Sequence, residues 1–264
     1  MKAVIAAGGY GTRFLPVSKA VPKEMLPLGN KPLIHHQLAM LLSAGISEVI
    51  VVVHRSSHMI HSYLQSDSEA ERHVGLEKAG KLFGELEKIR RAMHIAYVHE
   101  LEIWPYGDAE ALLAAEPWLT PGEAFYCLWV DDVVRGKEPI ANQLICAYQN
   151  CGASVVAIQE SGAGMAHYWG SINKDVSGLV TDIVRKGEQR LGFAQLGHFV
   201  LTPEIFEAIR MAPYMGELWI GDALKLLSER RKLHCLQVEG TWLAAGDPQR
   251  YIQALQTMEG LENG

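Results

Sequence analysis

Three glycines and two basic residues near the start of the chain have the types and spacing of a phosphate-binding loop. Gly8, Gly9 and Gly11 directly follow a short apolar run, and Arg13 and Lys23 come soon after them. Glycine lets the backbone turn sharply and lie close against a ligand, so that its amides can donate hydrogen bonds to phosphate oxygens or to the edge of a base. The two cations can then neutralise phosphate charge. This stretch predicts a site for a phosphorylated ligand.

Two common phosphate-binding motifs do not fit this loop. A dinucleotide-binding fingerprint needs a third glycine where Phe14 stands, and an acidic residue after the second strand, where the chain has His54 and Arg55. A P-loop needs Gly-Lys-Ser/Thr five residues after its first glycine, and Arg13 occupies that place. Both motifs are therefore excluded.

The longer sequence around the loop resembles that of one family. Residues 9–16 follow the pattern Gly-x-Gly-Thr-Arg-x-Leu-Pro, and residues 22–28 read Pro-Lys-Glu-Met-Leu-Pro-Leu. Together they resemble the signature of the sugar-1-phosphate nucleotidyltransferases, and residues 18–25 are similar to the bacterial glucose-1-phosphate uridylyltransferases in particular. The resemblance is strongest over residues 1–54. It implies an α/β fold with a mostly parallel, Rossmann-like open sheet flanked by helices.

The resemblance also implies a nucleotidyl transfer reaction. A phosphate oxygen of a sugar 1-phosphate would attack the α-phosphorus of a nucleoside triphosphate, and pyrophosphate would leave without a covalent intermediate. UTP and glucose 1-phosphate are the first-choice substrates. Arg13 would neutralise the leaving pyrophosphate, Lys23 would contact the α-phosphate, and Lys186 would contact the incoming phosphate.

Further site residues follow from the same resemblance. The nucleotide would be bound by residues of the loop and of later segments, namely Ala7, Gly8, Gly9, Gly11, Thr12, Glu24, Glu102, Gly107 and Asp132. The sugar would be bordered by Gly170, Arg185, Gly197 and Glu217. Asp131 matches the magnesium-binding aspartate of the family. We therefore expect Mg²⁺ as the cofactor, an ion that prefers oxygen ligands and keeps several waters.

Among the positions that depart from the family pattern, four concern the base, the sugar or the metal. An ungapped count back from Ala111 puts Glu102 where the uridylyltransferases have a glutamine that meets the uracil edge. Arg185 replaces a glutamate that binds sugar hydroxyls in the family, and Gly192 lies near the position of a sugar-binding asparagine. Ala244 replaces a second magnesium-binding aspartate at the end of the late strand that begins near residue 233.

These departures leave three interpretations open. The first is a working enzyme that uses UTP and glucose 1-phosphate. The second is the same chemistry with another acceptor or with GTP, because an ionised Glu102 offers only acceptors and suits the two adjacent donors of guanine. The third is a catalytically degenerate relative that acts as a nucleotide-binding or regulatory subunit. Retention of Arg13, Lys23, Lys186 and Asp131 favours a working enzyme.

The elements that must position these residues alternate between strands and helices. Apolar runs predict buried strands at 3–7, 48–53, 94–99, 124–130, 154–159, 180–186, 193–201 and 233–239. Amphipathic or charged segments predict helices at 32–45, 66–91, 139–151 and 251–258. Histidines at 54, 58 and 61 predict a polar helix face, with a metal site as the alternative. We expect one domain over residues 1–264, with a nucleotide-binding first half to about residue 135 and a sugar-phosphate-binding second half from about residue 136.

The composition limits the class of protein. Hydrophobic residues make up 48% of the chain, which allows a large core, and the formal net charge of -6 argues against non-specific nucleic-acid binding. No apolar run is long enough for a membrane span, and the first strand begins directly after Met1, so neither a membrane anchor nor a signal peptide is expected. No two cysteines form a Cys-x-x-Cys pair, which predicts buried, reduced thiols in a cytoplasmic protein. The resemblance implies a homo-oligomer, either a dimer or a tetramer.

Overall fold

A mixed sheet, nine-stranded in the described part of the chain, forms the centre of the structure. The structure is a computed structural model that describes residues 1–54, 58–65, 69–74, 76–100, 106–160, 170–185, 192–214 and 216–263. Its strands are β1 Ala3–Ala7, β2 Pro27–Leu28, β3 Lys31–Pro32, β4 Glu48–Val53, β5 His94–His99, β6 Phe125–Trp129, β7 Asp132–Arg135, β8 Ser154–Glu160, β9 Ser171–Lys174, β10 Val180–Val184, β11 Phe193–Leu201, β12 Leu233–Gln237 and β13 Thr241–Ala244. Its helices are α1 Leu33–Ser43, α2 His58–Leu64, α3 Glu69–Val74, α4 Leu76–Ala92, α5 Glu110–Ala115, α6 Ile140–Cys151, α7 Glu204–Met211, α8 Ile220–Glu229 and α9 Pro248–Asn263.

The strand order places the predicted site at one edge of the sheet. The main order is β10-β9-β11-β6-β1-β4-β5, with β8 joined to β11 and β12 joined to β8. Strands β6, β1, β4 and β5 are parallel, whereas β11 runs antiparallel to β6, β8 and β9. Ligands of open parallel sheets bind beyond the carboxyl ends of the strands, where the segments after β1, β5 and β6 meet. The predicted α/β fold is confirmed, with the antiparallel pairing centred on β11.

Alternating side chains of the central strands are buried on both faces of the sheet. On β1, Ala3 and Ile5 belong to a hydrophobic cluster that also contains residues of α1, α6 and α9. Val4 points to the other face, where α5, α7 and α8 contribute. Burying one large aliphatic side chain contributes roughly 1.5–3 kcal/mol. Two covered faces explain why these strands are continuously apolar in the sequence.

A helical insert between β4 and β5 is held together by one arginine. The Arg90 side chain of α4 donates to the carbonyl oxygens of Tyr63 and Leu64 at the end of α2. It also pairs with Glu71 of α3, at 2.7 Å, and with Glu87 of its own helix. The predicted charged helical segment at 66–91 therefore corresponds to α3 and α4, which Arg90 joins to α2.

Ala244 lies on a strand of its own, which corrects the expectation that it ends the strand beginning at residue 233. That strand, β12, stops at Gln237, and the chain turns at Gly240, whose φ of 119° favours glycine. The Gln159 side chain fixes this turn by donating to the Gly240 carbonyl oxygen at 2.9 Å. Strand β13 then pairs with β7, with Ala244 opposite Asp132.

Two smaller findings concern the composition-based expectations. All four cysteines are free, but Cys146 is exposed on the solvent side of α6, so the expectation that every thiol is buried is wrong. Within the described ranges, no helix combines the length and the apolar character of a membrane span.

Candidate active site

A cavity of about 320 Å³ lies beyond the carboxyl ends of β1, β5 and β6. It is bordered by the loop after β1, the segment before α5, the turn between β6 and β7, and strands β11 and β13. Twelve of the residues predicted from the sequence line it, namely Gly8, Gly9, Gly11, Thr12, Arg13, Lys23, Gly107, Asp131, Asp132, Gly170, Gly197 and Glu217. Their positions are separated by up to about 200 residues in the sequence, and the sheet edge brings them together.

Five predicted site residues are placed elsewhere or fall outside the described ranges. Ala7 borders a separate cavity on the other side of the glycine loop, and Glu24 is fully buried. Arg185 lines a neighbouring cavity. Glu102 and Lys186 lie outside the described residues.

Lys23 and Asp131 form an ion pair at one corner of the cavity. The Lys23 ammonium lies 3.0 Å from Asp131 Oδ2, and each side chain is only 16% exposed. Burial by itself would lower the pKa of Lys23 and raise that of Asp131, but their mutual attraction outweighs it. The pKa of Lys23 is therefore held above its usual value and the pKa of Asp131 below it. Both groups are charged at neutral pH.

Asp132 has a different role from its neighbour, because both of its carboxylate oxygens are engaged. The backbone N–H of Gly197 donates to Oδ2 at 2.7 Å, and the Trp242 indole N–H donates to Oδ1 at 2.8 Å. Burial, followed by the negative charge of Asp131, raises the pKa of Asp132 to about 6. Asp132 therefore ties β7 to β11 and β13, and Asp131 is the carboxylate of this pair that faces the cavity corner.

The turn that carries both aspartates is fixed by buried polar side chains. Gln37 of α1 donates to the carbonyl oxygens of Val130 and Asp132, at 3.1 and 3.0 Å. His198 Nε2 lies 2.5 Å from the Asp132 carbonyl oxygen, and its Nδ1 lies 2.9 Å from the Tyr126 hydroxyl. Because burial lowers the pKa of His198 to about 4, the ring is neutral, donates through Nε2–H and accepts from Tyr126. These contacts preorganise the carboxylates.

Arg13 faces the same corner from the glycine loop. Gly11 begins this turn with a φ of 59°, in the left-handed region that favours glycine. Arg13 donates to the Gly246 carbonyl oxygen at 3.4 Å. A Cβ at Gly246 would lie only 2.9 Å from Asp131 Oδ2, so a larger residue there would displace this carboxylate. Arg13, Lys23 and Asp131 therefore form one phosphate-sized corner.

The carboxylates of this corner suit a hard cation that keeps most of its waters. Asp131 offers one carboxylate, the oxygens of Asp132 are engaged, and Ala244 offers none. Asp247 does not fill that place, because it pairs with Arg250 at 2.5 Å. In the part of the chain that the structure describes, no three acidic, histidine or cysteine side chains form a metal cluster. One carboxylate together with substrate phosphates and waters is a common Mg²⁺ environment.

Glu24 is buried in the short turn Lys23–Met25 that carries Lys23. It is fully inaccessible, and neither carboxylate oxygen has a hydrogen-bond partner in the described part of the chain. Burial raises its pKa to about 7, although the adjacent Lys23 charge opposes the shift. Glu24 is not among the described residues that line the cavity, so the structure does not place it in contact with a bound nucleotide.

Glu100 is a cavity residue that sequence reasoning missed. It follows β5 directly, is 7% exposed, and packs against Gly8 so closely that a Cβ there would overlap its carboxyl group. The ungapped count from Ala111 passed over it in favour of Glu102. The position of Glu100 immediately after a buried strand, like that of Asp131 after β6, could have identified it as a site residue, because ligands bind beyond the carboxyl ends of parallel strands.

The chain is similar to known nucleotidyltransferases over nearly its whole length. A family model described as "Nucleotidyl transferase" matches residues 2–260. UTP–glucose-1-phosphate uridylyltransferase of Bacillus subtilis is 33% identical over 261 residues, which are 95% of this chain and 88% of that protein. The protein of the same name from Mycoplasma genitalium is 32% identical over 264 residues, 96% of this chain and 89% of that protein. A solved UDP-glucose pyrophosphorylase in complex with UDP-glucose has a TM-score of 0.87 at 27% identity, and 98% of each chain is covered.

Proposed function

Because the chain belongs to the nucleotidyl transferase family, we propose that it transfers the uridylyl group of UTP to glucose 1-phosphate and releases pyrophosphate. The observation that carries the proposal is the meeting of the glycine loop, Arg13, Lys23 and Asp131 at one cavity beyond the parallel strands. The relatives are named for the same reaction, and the chain spans most of their length.

The cations and amides of the cavity bind and orient the phosphates. The glycine loop presents backbone amides to the nucleotide, and Arg13, with its planar fork of donors, neutralises the leaving pyrophosphate. Lys23 exchanges its contact with Asp131 for the α-phosphate. Lys186, which lies outside the described residues, is the remaining candidate for the incoming phosphate. In reactions of this kind, catalysis rests on positioning and charge neutralisation.

Mg²⁺ is the metal that this donor set fits. Asp131 would hold it, with phosphate oxygens and waters completing the coordination. When bound, the ion neutralises phosphate charge. Asp132, held by Gly197 and Trp242, keeps the Asp131 backbone in place.

The sugar belongs at the end of the cavity lined by Gly170, Gly197 and Glu217. A Cβ at Gly197 would lie 2.8 Å from Trp129 Cβ and 2.9 Å from Asp132 Oδ2, so no side chain fits there. The backbone at Gly197 therefore approaches the cavity directly, and Glu217 offers carboxylate acceptors for sugar hydroxyls.

Two features favour alternative functions. Ala244 in place of a second acidic ligand favours a catalytically degenerate subunit that binds nucleotide without turnover. An acid at the nucleotide end, Glu100 in the structure or Glu102 by the sequence count, favours GTP. The retained cations and Asp131 favour a working enzyme over the degenerate subunit, and the relatives named for UTP make it the better-supported nucleotide.

A pyrophosphate-release screen tests the proposal and its alternatives. The four common nucleoside triphosphates are combined with a panel of sugar 1-phosphates, with Mg²⁺ and with chelator. We expect the highest kcat/KM for UTP with glucose 1-phosphate, and release only with Mg²⁺. Nucleotide binding by calorimetry without release from any pair would favour the degenerate subunit.

The domain organisation, the oligomeric state and the location in the cell are also proposals. We expect one domain, because each hydrophobic cluster contains residues from both sides of position 135. We further propose a cytoplasmic dimer or tetramer, as the resemblance to the family implies. Light scattering coupled to size-exclusion chromatography measures the oligomeric state.

A further inference from the structure

The indole ring of Trp219 is fitted between two glycines at the sugar end of the cavity. Trp219 precedes α8 and is 7% exposed. A Cβ at Gly170 would lie 2.9 Å from its Cζ2 atom, and a Cβ at Gly221 would overlap the six-membered ring. Larger residues at these two positions would displace the ring. The two glycines therefore leave a space that the indole fills.

A charged pair holds the same ring. The Arg185 guanidinium lies 5.0 Å from the ring centroid, in cation–π range, and forms an ion pair with Asp222 of α8. The Arg185 side chain is 25% exposed and that of Asp222 is 12% exposed. Because the guanidinium is engaged by both partners, it fixes the ring. Arg185 is not among the described residues that line the active-site cavity.

Trp219 separates two cavities. The active-site cavity contains Gly170, Gly197 and Glu217 near the ring, and a second cavity of about 400 Å³ contains Arg185 and Asp222. Among the described lining residues, Trp219 is the one that both cavities share. Removing the indole would join them.

We propose that Trp219 determines acceptor size, as the wall that confines the site to a simple hexose 1-phosphate and excludes one with a bulky ring substituent such as an N-acetyl group. The inference rests on the proposed function and defines its acceptor. With the wall removed, an acetamido group could enter the second cavity. There, Arg185 and Asp222 could exchange part of their mutual contact for hydrogen bonds to the carbonyl oxygen and N–H of an amide, which match their donors and acceptors.

The test compares two acceptors in three proteins. With UTP and Mg²⁺, kcat/KM is measured for N-acetylglucosamine 1-phosphate and for glucose 1-phosphate, in the wild type, Trp219→Ala and Trp219→Phe. We expect the ratio of kcat/KM for N-acetylglucosamine 1-phosphate to kcat/KM for glucose 1-phosphate to rise at least tenfold in Trp219→Ala. It should stay within threefold of wild type in Trp219→Phe, whose ring still closes the wall. An unchanged ratio in folded Trp219→Ala would overturn the proposal.

Controls separate this inference from loss of fold or of the proposed function. Trp118→Ala removes an exposed tryptophan outside the cavity and should leave the ratio unchanged. If Trp219→Ala does not fold, Trp219→Leu replaces it, because the smaller side chain removes part of the barrier between the cavities. A rise of the kcat/KM ratio of less than threefold over wild type in Trp219→Leu would then count against the proposal. Calorimetric binding of N-acetylglucosamine 1-phosphate in the presence of UTP without Mg²⁺ gives a second readout, with tighter binding to the opened variant expected. A wild type inactive with glucose 1-phosphate would instead refute the proposed function.

Discussion

Lys23 and Asp131 neutralise each other at 3.0 Å in a corner where a triphosphate and a divalent cation are expected to bind. Both side chains are therefore held in position before the substrate binds. Lys23 can then exchange Asp131 for a phosphate, and Asp131 can exchange Lys23 for the divalent cation. The charged forms of both residues are favoured before any ligand arrives, because the pKa of Asp131 is held below its usual value and that of Lys23 above it. Nucleotide binding at this corner replaces one charged contact with another, which limits the desolvation cost.

Arg13→Ala tests the phosphate-neutralising cations most cleanly, because Arg13 is exposed and its loss should hardly affect stability. Loss of a preorganised donor to transition-state charge costs roughly 3–4 kcal/mol, so turnover should fall by about two to three orders of magnitude. Steady-state pyrophosphate release measures this. Lys19→Ala, which removes an exposed lysine of the next turn outside the active-site cavity, should behave as wild type. Turnover of Arg13→Ala within threefold of the parent would show that Arg13 has no such role.

Ala244→Asp tests the single-carboxylate interpretation of the metal corner. Ala244 lines the cavity and pairs in register with Asp132, so an added carboxylate would lie in the corner that contains Asp131 and Asp132. We expect about tenfold tighter Mn²⁺ binding with UTP present, measured by electron paramagnetic resonance titration. Thr241→Asp, an exposed position on the same strand, is the matched control. Unchanged or weaker Mn²⁺ affinity would mean that repulsion between carboxylates prevails.

Base selection is tested by replacing each candidate acid with its amide. Uracil presents an acceptor beside a donor, which an amide matches, whereas a carboxylate only accepts. A good bidentate base contact is worth about 1–3 kcal/mol of discrimination. Glu100→Gln should therefore raise the UTP-to-GTP ratio of kcat/KM at least fivefold, and Glu102→Gln should do so only if it is the base contact. If neither variant changes the ratio, neither acid touches the base.

The elements were predictable where local pattern determines them. Strands β1, β4 and β6 are continuous apolar runs, and α1 and α6 have amphipathic spacing, so their existence followed from the sequence. The short strands β7 and β13 were not predictable, because each is defined by the other across more than 100 residues and by the turn that Gln159 holds at Gly240.

The same long-range contacts make the aspartate turn sensitive to pH through His198. Its pKa is about 4 in the folded protein and near 6.5 when unfolded, so the unfolded state binds more protons between these values. Stability from this group is present above pH 6.5 and is lost as the pH falls, by about 1.6 kcal/mol between pH 6.5 and pH 5. Between pH 6.5 and pH 5, the change in unfolding free energy measured with urea should be less favourable in the wild type than in His198→Gln by about this amount. The comparison of the two proteins isolates His198, because Asp132 and Glu24, whose raised pKa values stabilise the fold at lower pH, titrate in both. Equal changes in the two proteins would contradict this role of His198.

At the scale of the whole molecule, the order of strands explains what sequence analysis could and could not locate. The glycine loop, Lys23 and Asp131 follow strands of one parallel set, so their convergence was foreseeable. Arg185 was expected beside the sugar, but its contacts with Asp222 and Trp219 depend on the docking of α8 against β10. Trp219 itself carried no local signal, because its role depends on Gly170, nearly 50 residues earlier in the chain.

Formation of UDP-glucose is the most direct measurement. The protein is incubated with UTP, glucose 1-phosphate and Mg²⁺, and the products are quantified by phosphorus nuclear magnetic resonance. We predict UDP-glucose and pyrophosphate in equal amounts, their formation abolished by chelator and reduced at least a hundredfold in Asp131→Asn. Absence of UDP-glucose from a folded wild-type protein that still binds UTP would contradict the assignment of this cavity to uridylyl transfer.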